Sequence, residues 1–319
     1  MRTRALLTAA LLLAAQAGPA AAFGTSTKGT SGAQFLEIAP GARPAAMGGA
    51  FSGVADDVHA VYYYPAGLAN LERIQITGMD DQYFQSINYS FAAMAVPLVF
   101  QGDSRVQSKY GVLGISVTNL SVGNIPSQGN TETASPTGTF SSDDFAYALS
   151  YGYAFPDTGL SLGATGKFVV SSLDGTNASG FAADLGGLYK PDNRLSVGAG
   201  LRNLGPSYGF AGSSDPLPLV IYGAAAYKLT QHWLASLEID APRDNSVAFA
   251  LGTEYVHPFT DKISGALRAG YNSANTDAGG FGGASFGGGI AYGNVGFDFA
   301  LIPFGDLGNT YRYSLLVKF

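Results

Sequence analysis

Phe145-Ala146-Tyr147-Ala148-Leu149-Ser150-Tyr151-Gly152-Tyr153-Ala154-Phe155 is the stretch that decides the fold class. Its odd positions are all large, aromatic except for Leu149, and its even positions are alanine, serine or glycine. Side chains along a strand alternate between the two faces of its sheet, so this segment has one aromatic face and one tiny face. A strand of a soluble sandwich buries its large face and turns charged side chains to water. No charge stands on the second face here. The pattern fits a wall whose aromatics meet lipid at the interfacial girdles and whose small residues allow a plug or a neighbouring backbone to approach from inside.

The same period of two runs through the chain in both directions. Fourteen segments carry it: 72–80, 86–99, 110–121, 143–155, 159–173, 179–190, 194–204, 217–229, 232–240, 246–257, 261–272, 280–292, 293–302 and 307–319. Past the first twenty-odd residues no stretch is long and apolar enough for a membrane helix, so a span must be made of strands. The expectation is all-β: a transmembrane antiparallel up-and-down barrel of fourteen strands, an even number as in bacterial barrels. With the amino terminus on the periplasmic side, alternate connections are short turns, namely 155–158, 190–193, 230–231, 257–261 and 293–294, with 100–109 a longer exception. The opposite end holds polar loops at 122–141, 205–216 and 273–279.

At the chain end, Tyr311, Tyr313, Leu315 and Val317 share a face with the terminal Phe319. A terminal aromatic with apolar partners at every second position resembles the signal read by the barrel assembly machinery of the outer membrane. With that apolar set facing lipid, the lumen receives Asp184, Glu238, Asp240, Glu254 and Asp298 together with Lys167, Arg202, Lys228, Arg268, Arg312 and Lys318. If each hairpin closes at its turn residues, Lys167 faces Asp184, Glu254 faces Arg268 and Asp298 faces Arg312. Cross-strand pairs of this kind fix register; a solute-selective filter is the other reading.

Arg2 and Arg4 precede an apolar run from Ala5 to Ala17, and Ala20-Ala21-Ala22 supplies small residues for cleavage before Phe23. The expected organisation is a signal peptide at 1–22, an amino-terminal segment at 23–71 and a barrel at 72–319, located in the cell outer membrane. Loss of Arg2 and Arg4 leaves 15 basic against 23 acidic residues, which excludes nucleic acid as an expected partner. The absence of cysteine excludes disulfides and thiolate metal sites. No cofactor is expected.

The amino-terminal segment reads differently. It contains Gly41-Ala42-Arg43, Met47-Gly48-Gly49-Ala50, Ala55-Asp56-Asp57 and Tyr64-Pro65-Ala66-Gly67-Leu68. In these motifs and their spacing the chain resembles the PorV/PorQ family, relatives of the FadL-type fatty-acid transporters; weaker echoes are Arg202-Asn203-Leu204-Gly205, Gly252-Thr253-Glu254-Tyr255 and Leu267-Arg268-Ala269-Gly270-Tyr271. Tyr63-Tyr64 departs from the family's Trp-Asn before Pro-Ala-Gly, which puts the turn at Pro65 in question. The resemblance implies a hatch folded into the periplasmic mouth of a fourteen-stranded barrel. From the residues themselves, the glycines and alanines of 42–53 permit close packing, and Asp56-Asp57 suits the start of a short helix. A disordered tail is the alternative.

Catalytic signals are poor. Gly283-Ala284-Ser285-Phe286-Gly287 matches a nucleophile elbow but lies within a glycine-rich strand, where that motif requires a strand-to-helix turn. His59 follows Asp56 and Asp57, which leaves a metal site as the lesser alternative; with His232 and His257 as the other histidines of the chain, a surface or turn histidine is the favoured reading. The resemblance implies one of two functions. One is a secretion shuttle that binds exported cargo and secretion-system proteins through its loops, with Tyr208 and Phe210 as aromatic anchors. The other is a FadL-like channel for hydrophobic small molecules.

Overall fold

The computed structural model describes residues 27–83, 87–98, 110–128, 135–210, 212–305 and 308–319; the expected signal peptide lies outside them. The strands are β1 (Gln75–Gln82), β2 (Ile87–Pro97), β3 (Val112–Ser127), β4 (Gly138–Ala154), β5 (Leu160–Leu173), β6 (Thr176–Tyr189), β7 (Leu195–Leu204), β8 (Tyr208–Phe210), β9 (Ser213–Asp215), β10 (Val220–Lys228), β11 (Trp233–Pro242), β12 (Ala248–Pro258), β13 (Ile263–Asn272), β14 (Ala284–Tyr292), β15 (Val295–Pro303) and β16 (Asn309–Lys318). Among the described residues, fourteen of them close into one antiparallel barrel in which each strand pairs with its chain neighbours, and β1 pairs with β16 to complete the circle. The remaining two, β8 and β9, form a small separate hairpin.

The alternation that marks β4 gives the whole wall two unlike faces. Outward positions carry large apolar side chains that remain exposed, such as Ile115, Leu149, Phe181, Leu251, Leu267 and Leu315. A continuous belt of this kind is stable only against lipid. In β16 the outward set is Tyr311, Tyr313 and Leu315, and the Phe319 N–H donates to the carbonyl of Ile74 at 2.9 Å, so the chain end sits against the entry to β1.

The connections differ in detail from the sequence expectation. The loop expected at 122–141 is shorter, because β3 runs on to Ser127 and β4 begins at Gly138, past a bulge near Asn124, whose φ is positive. At 273–279 a 3-10 turn is capped by the side chain of Asn272, which accepts from the Ala274 N–H at 2.9 Å. The loop at 205–216 holds the β8–β9 hairpin, which folds into the lumen. Tyr208, expected as an exposed anchor, is buried: its ring lies on Gly180 and its hydroxyl donates to the carbonyl of Ala178 at 3.2 Å. A short polar loop has no other apolar surface to cover such a ring. Phe210 remains partly exposed.

The core of the molecule is inside the barrel. Residues 34–71 coil through the lumen as short helical pieces, Gln34–Glu37, α1 (Ala42–Ala46), α2 (Ala60–Tyr63) and Pro65–Asn70. Met47, Phe51, Val58, Val61, Tyr63, Tyr64 and Leu68 are all fully buried in one cluster with inward wall residues such as Tyr89, Phe91, Leu188 and Tyr222. Asp56 and Asp57 do not cap α2; its N-cap is His59, with no side-chain cap bond.

Candidate functional site

The hatch is held where small wall residues let backbone meet backbone. Gly48 has a φ of +68°, and a Cβ there would come within 2.7 Å of the Tyr271 backbone; a Cβ on Gly270 would come within 2.0 Å of the Gly48 nitrogen. No larger residue fits either position without displacing the hatch. On the other side of the lumen, Pro65 and Ala66 lie against Gly163, where an added Cβ would stand 2.2 Å from the Ala66 nitrogen. The Tyr64 hydroxyl accepts from the Ala199 N–H at 2.9 Å and donates to the carbonyl of Gly187, so the residue that departs from the family pattern ties the hatch to β6 and β7. The turn itself is closed by the Gly67 N–H on the Tyr64 carbonyl at 2.8 Å.

Arg43 is the centre of the ionic arrangement. Its Nε and Nη2 donate to the two carboxylate oxygens of Glu254, each at 2.8 Å, and its Nη1 reaches Asp56 at 2.6 Å and Asp57 at 2.7 Å. Glu254 also accepts from Arg268 Nε at 2.6 Å, and Arg268 Nη1 donates to Asp298 at 2.7 Å. Asp57 accepts from the His59 backbone N–H at 2.9 Å and lies 2.8 Å from His59 Nδ1. Burial opposes ionisation of Asp57, yet His59 and Arg43 together hold its carboxyl far below the usual range. Arg43 is likewise held well above its ordinary value: its surrounding acids outweigh its burial. Removing one member of such a network leaves the others charged and unpaired inside, at a cost of about 3 to 5 kcal/mol.

Three further anchors, Glu238, Arg312 and Ser285, were not singled out as hatch contacts in the sequence. Glu238 accepts from the backbone N–H groups of Phe51 and Ser52 at 3.1 and 2.9 Å and from the Ser52 hydroxyl at 2.7 Å, and stands 3.3 Å from Arg202. Arg312 pairs with Asp81, donates to the carbonyl of Ala39, and donates to the Tyr83 hydroxyl at 2.7 Å. Ser285, within the apparent nucleophile motif, accepts from the Gly48 N–H at 2.9 Å and donates to the Ala46 carbonyl at 3.2 Å. The signal available for all of these was an isolated polar residue on the inward face of a strand.

The expected ion pairs need two corrections. Glu254 and Arg268 are ladder partners. Lys167 faces Ala182 and Asp184 faces Thr165, because the two-residue turn at Asp174-Gly175 closes that hairpin earlier; the lysine still reaches Asp184 diagonally, at 2.8 Å. Asp298 faces Ser314, not Arg312, since the loop after Pro303 shifts the register by two residues; Asp298 pairs with Arg268, and Arg312 with Asp81.

The plug divides the lumen into two polar chambers. One, of about 860 Å³, opens at the short-turn end below Arg43, Asp56 and Asp57. The other, of about 440 Å³, lies at the loop end among Glu37, Arg202, Glu238, Asp240 and Arg312. There burial, with repulsion from Asp244, raises the Glu37 carboxyl to about 7. On the outer face of β1 to β6 is an apolar hollow of about 870 Å³, walled by Ile76, Met94, Ile115, Leu149 and Phe168, with Ala92 and Gly166 as small residues at its base. Ser116, Ala148 and Lys167 border this hollow and also a small internal void of about 20 Å³ against Phe35, Leu36, Val61 and Tyr62. A single layer of strand separates the hatch from the lipid side at this place.

No protein-family model matches the chain, and no curated protein does. Solved structures do. The toluene transporter TbuX of Ralstonia pickettii is similar over 88% of this chain and 97% of that one, at 14% identity and a TM-score of 0.56. The toluene transporter TodX of Pseudomonas putida matches over the same shares, at 13% identity and a TM-score of 0.56. A FadL homologue of Pseudomonas aeruginosa matches over 94% of this chain and 99% of that one, at 11% identity and a TM-score of 0.52. The fold is that of the FadL-like barrels. At these identities the likeness is one of fold alone.

Proposed function

We propose that the protein is an outer-membrane channel that passes small hydrophobic molecules inward, with the hatch as its gate. The observation that carries this reading is the wall of β3 to β5, where an apolar hollow on the lipid side backs onto a small void of about 20 Å³ beside Phe35, Leu36, Val61 and Tyr62 of the hatch. A molecule too apolar for the charged chambers has an apolar receiving surface there, and a small movement of Phe35 and Leu36 would enlarge the inner void. The fold supports the reading, since two similar structures are toluene transporters. A photoreactive hydrophobic probe added to outer-membrane vesicles should label Leu36 or Tyr62 on the hatch. Labelling confined to lipid-facing residues such as Leu267 would count against passage.

A second reading, a secretion shuttle of PorV type, is favoured by one feature: both chambers are lined by many acidic and basic side chains, a poor surface for apolar solutes. Its partners would be secretion-system proteins and exported cargo, and affinity capture from native membranes tests it directly.

A further inference from the structure

The chamber at the short-turn end has a rim on which four cations stand against one acid, Asp192. Lys190 follows the last residue of β6, Arg194 precedes β7, Lys228 ends β10 and Lys318 ends β16. All four continue the inward set of their strands: Leu188, Ser196, Ala226 and Ser314, buried against the hatch side, are in step with them by even spacing. The first three lie on consecutive neighbours of the barrel, with the Lys228 N–H donating to the Arg194 carbonyl at 2.9 Å, and Lys318 stands across the opening. Among the described residues none of the four has a carboxylate within ion-pair distance, whereas the arginines one layer deeper, Arg43 and Arg268, are fully paired. Asp192, the nearest acid on the rim, has an oxygen already taken by the backbone N–H groups of Arg194 and Leu195 at 2.7 Å each.

We infer that this chamber binds a small, soluble, multiply charged anion, a polyphosphate or polycarboxylate, held by Lys190, Arg194 and Lys228 with Lys318 opposite. Three observations converge on it. The chamber, at about 860 Å³, is the size of a small-molecule site. Its four rim cations have, among the described residues, no carboxylate within ion-pair distance, and they line a concave mouth where they outnumber the one rim acid, Asp192, so that the field favours an anion. Burial, reinforced by Lys228 and only partly offset by Asp56, pulls the Lys190 ammonium below its usual range, a strain that a bound anion would relieve. The barrel wall keeps membrane lipid out of the lumen, so the occupant comes from the aqueous side. Below it lie Asp56 and Asp57, which set a floor: the anion stays at the rim and does not reach Arg43. This inference stands apart from the passage of hydrophobic molecules and survives its failure.

The test is calorimetric titration of inorganic pyrophosphate and of citrate into the full-length detergent-solubilised protein. Binding of either, weakened by added salt as a charge-driven site requires, is the expected result. The triple variant K190Q/R194Q/K228Q should weaken it by about tenfold or more, while K262Q, at an exposed turn of the same end, should leave it unchanged. Heat-modifiability on gels establishes that each variant is a folded barrel; if the triple variant does not fold, the single variants K228Q and K318Q are read in its place. Absence of binding of both anions at low salt overturns the inference, as does equal weakening by K262Q, which would reduce the effect to general surface charge.

Discussion

Glu254 lies directly across the β12–β13 ladder from Arg268, and on its lumenal side the same carboxylate takes Nε and Nη2 of Arg43 at 2.8 Å. One acid thus joins two neighbouring wall strands and fastens the hatch to them. A swap of the ladder pair, E254R/R268E, therefore differs from an ordinary charge exchange, because the new arginine would confront Arg43. The double variant should be no more stable than the better single variant, and a double-mutant cycle on thermal unfolding measures this. Recovery of most of the stability would mean that Arg43 contributes little at this site.

Arg43→Met should release the hatch while leaving the barrel closed. Two of the three carboxylates that it holds, Asp57 and Glu254, are buried, so the loss is about 3 to 5 kcal/mol locally. Amide hydrogen exchange at 42–58 should quicken, with exchange in β12 and β13 changed far less, and planar-bilayer recordings should show larger or more frequent openings. Unchanged exchange would remove the ionic latch from the account.

Gly270→Ala places a methyl where the Gly48 nitrogen stands. The close backbone approach cannot survive it, and overpacking of this kind costs about 1 to 3 kcal/mol or more. Exchange at Met47 to Ala50 should again report the effect. Gly166→Ala, where an added Cβ meets nothing within 4 Å, is the control and should be neutral.

The Glu37 carboxyl, raised to about 7 by burial and by Asp244, has a defined pH signature. Its protonated form is favoured in the folded protein, so the folded state binds more protons than the unfolded one between the ordinary carboxylate value and about 7. Docking of residues 34–38 is firmest below that window and weakens as pH rises through it. Protection of this segment against exchange, taken relative to the intrinsic amide rate at each pH, should fall from pH 5 to pH 8, and Glu37→Gln should abolish the fall. A segment equally protected at both pH values would contradict the assignment.

The strands and their faces were legible in the sequence because a period of two survives wherever one face meets lipid. The register was legible in part. The short turn between β12 and β13 placed Glu254 opposite Arg268, but the turn at Asp174-Gly175 and the loop after Pro303 each move their hairpins by two residues, which keeps every side chain on its face while changing its partner. The hatch motifs pointed to Arg43 and Asp57. Arg43's partner Glu254 lies some two hundred positions away in the chain; the sequence marks it as a lumenal acid, but nothing local announces that it meets the hatch. Tyr208 was misjudged for the complementary reason: whether a loop aromatic faces water or fills a lumen depends on Gly180 and Ala178, in a strand that its own sequence does not mention.

Passage of hydrophobic molecules past the wall of β3 to β5 is tested by uptake into whole cells. The host should carry an intact outer membrane and lack its own carriers of this type, and the measured quantity is the initial rate of entry of a radiolabelled monoaromatic or long-chain fatty acid. Production of the protein should raise that rate, and Gly166→Trp, which fills the outer hollow from a position with open space around it, should return it to the background while the barrel stays heat-modifiable. Entry at the background rate with the wild-type protein correctly inserted would contradict the claim.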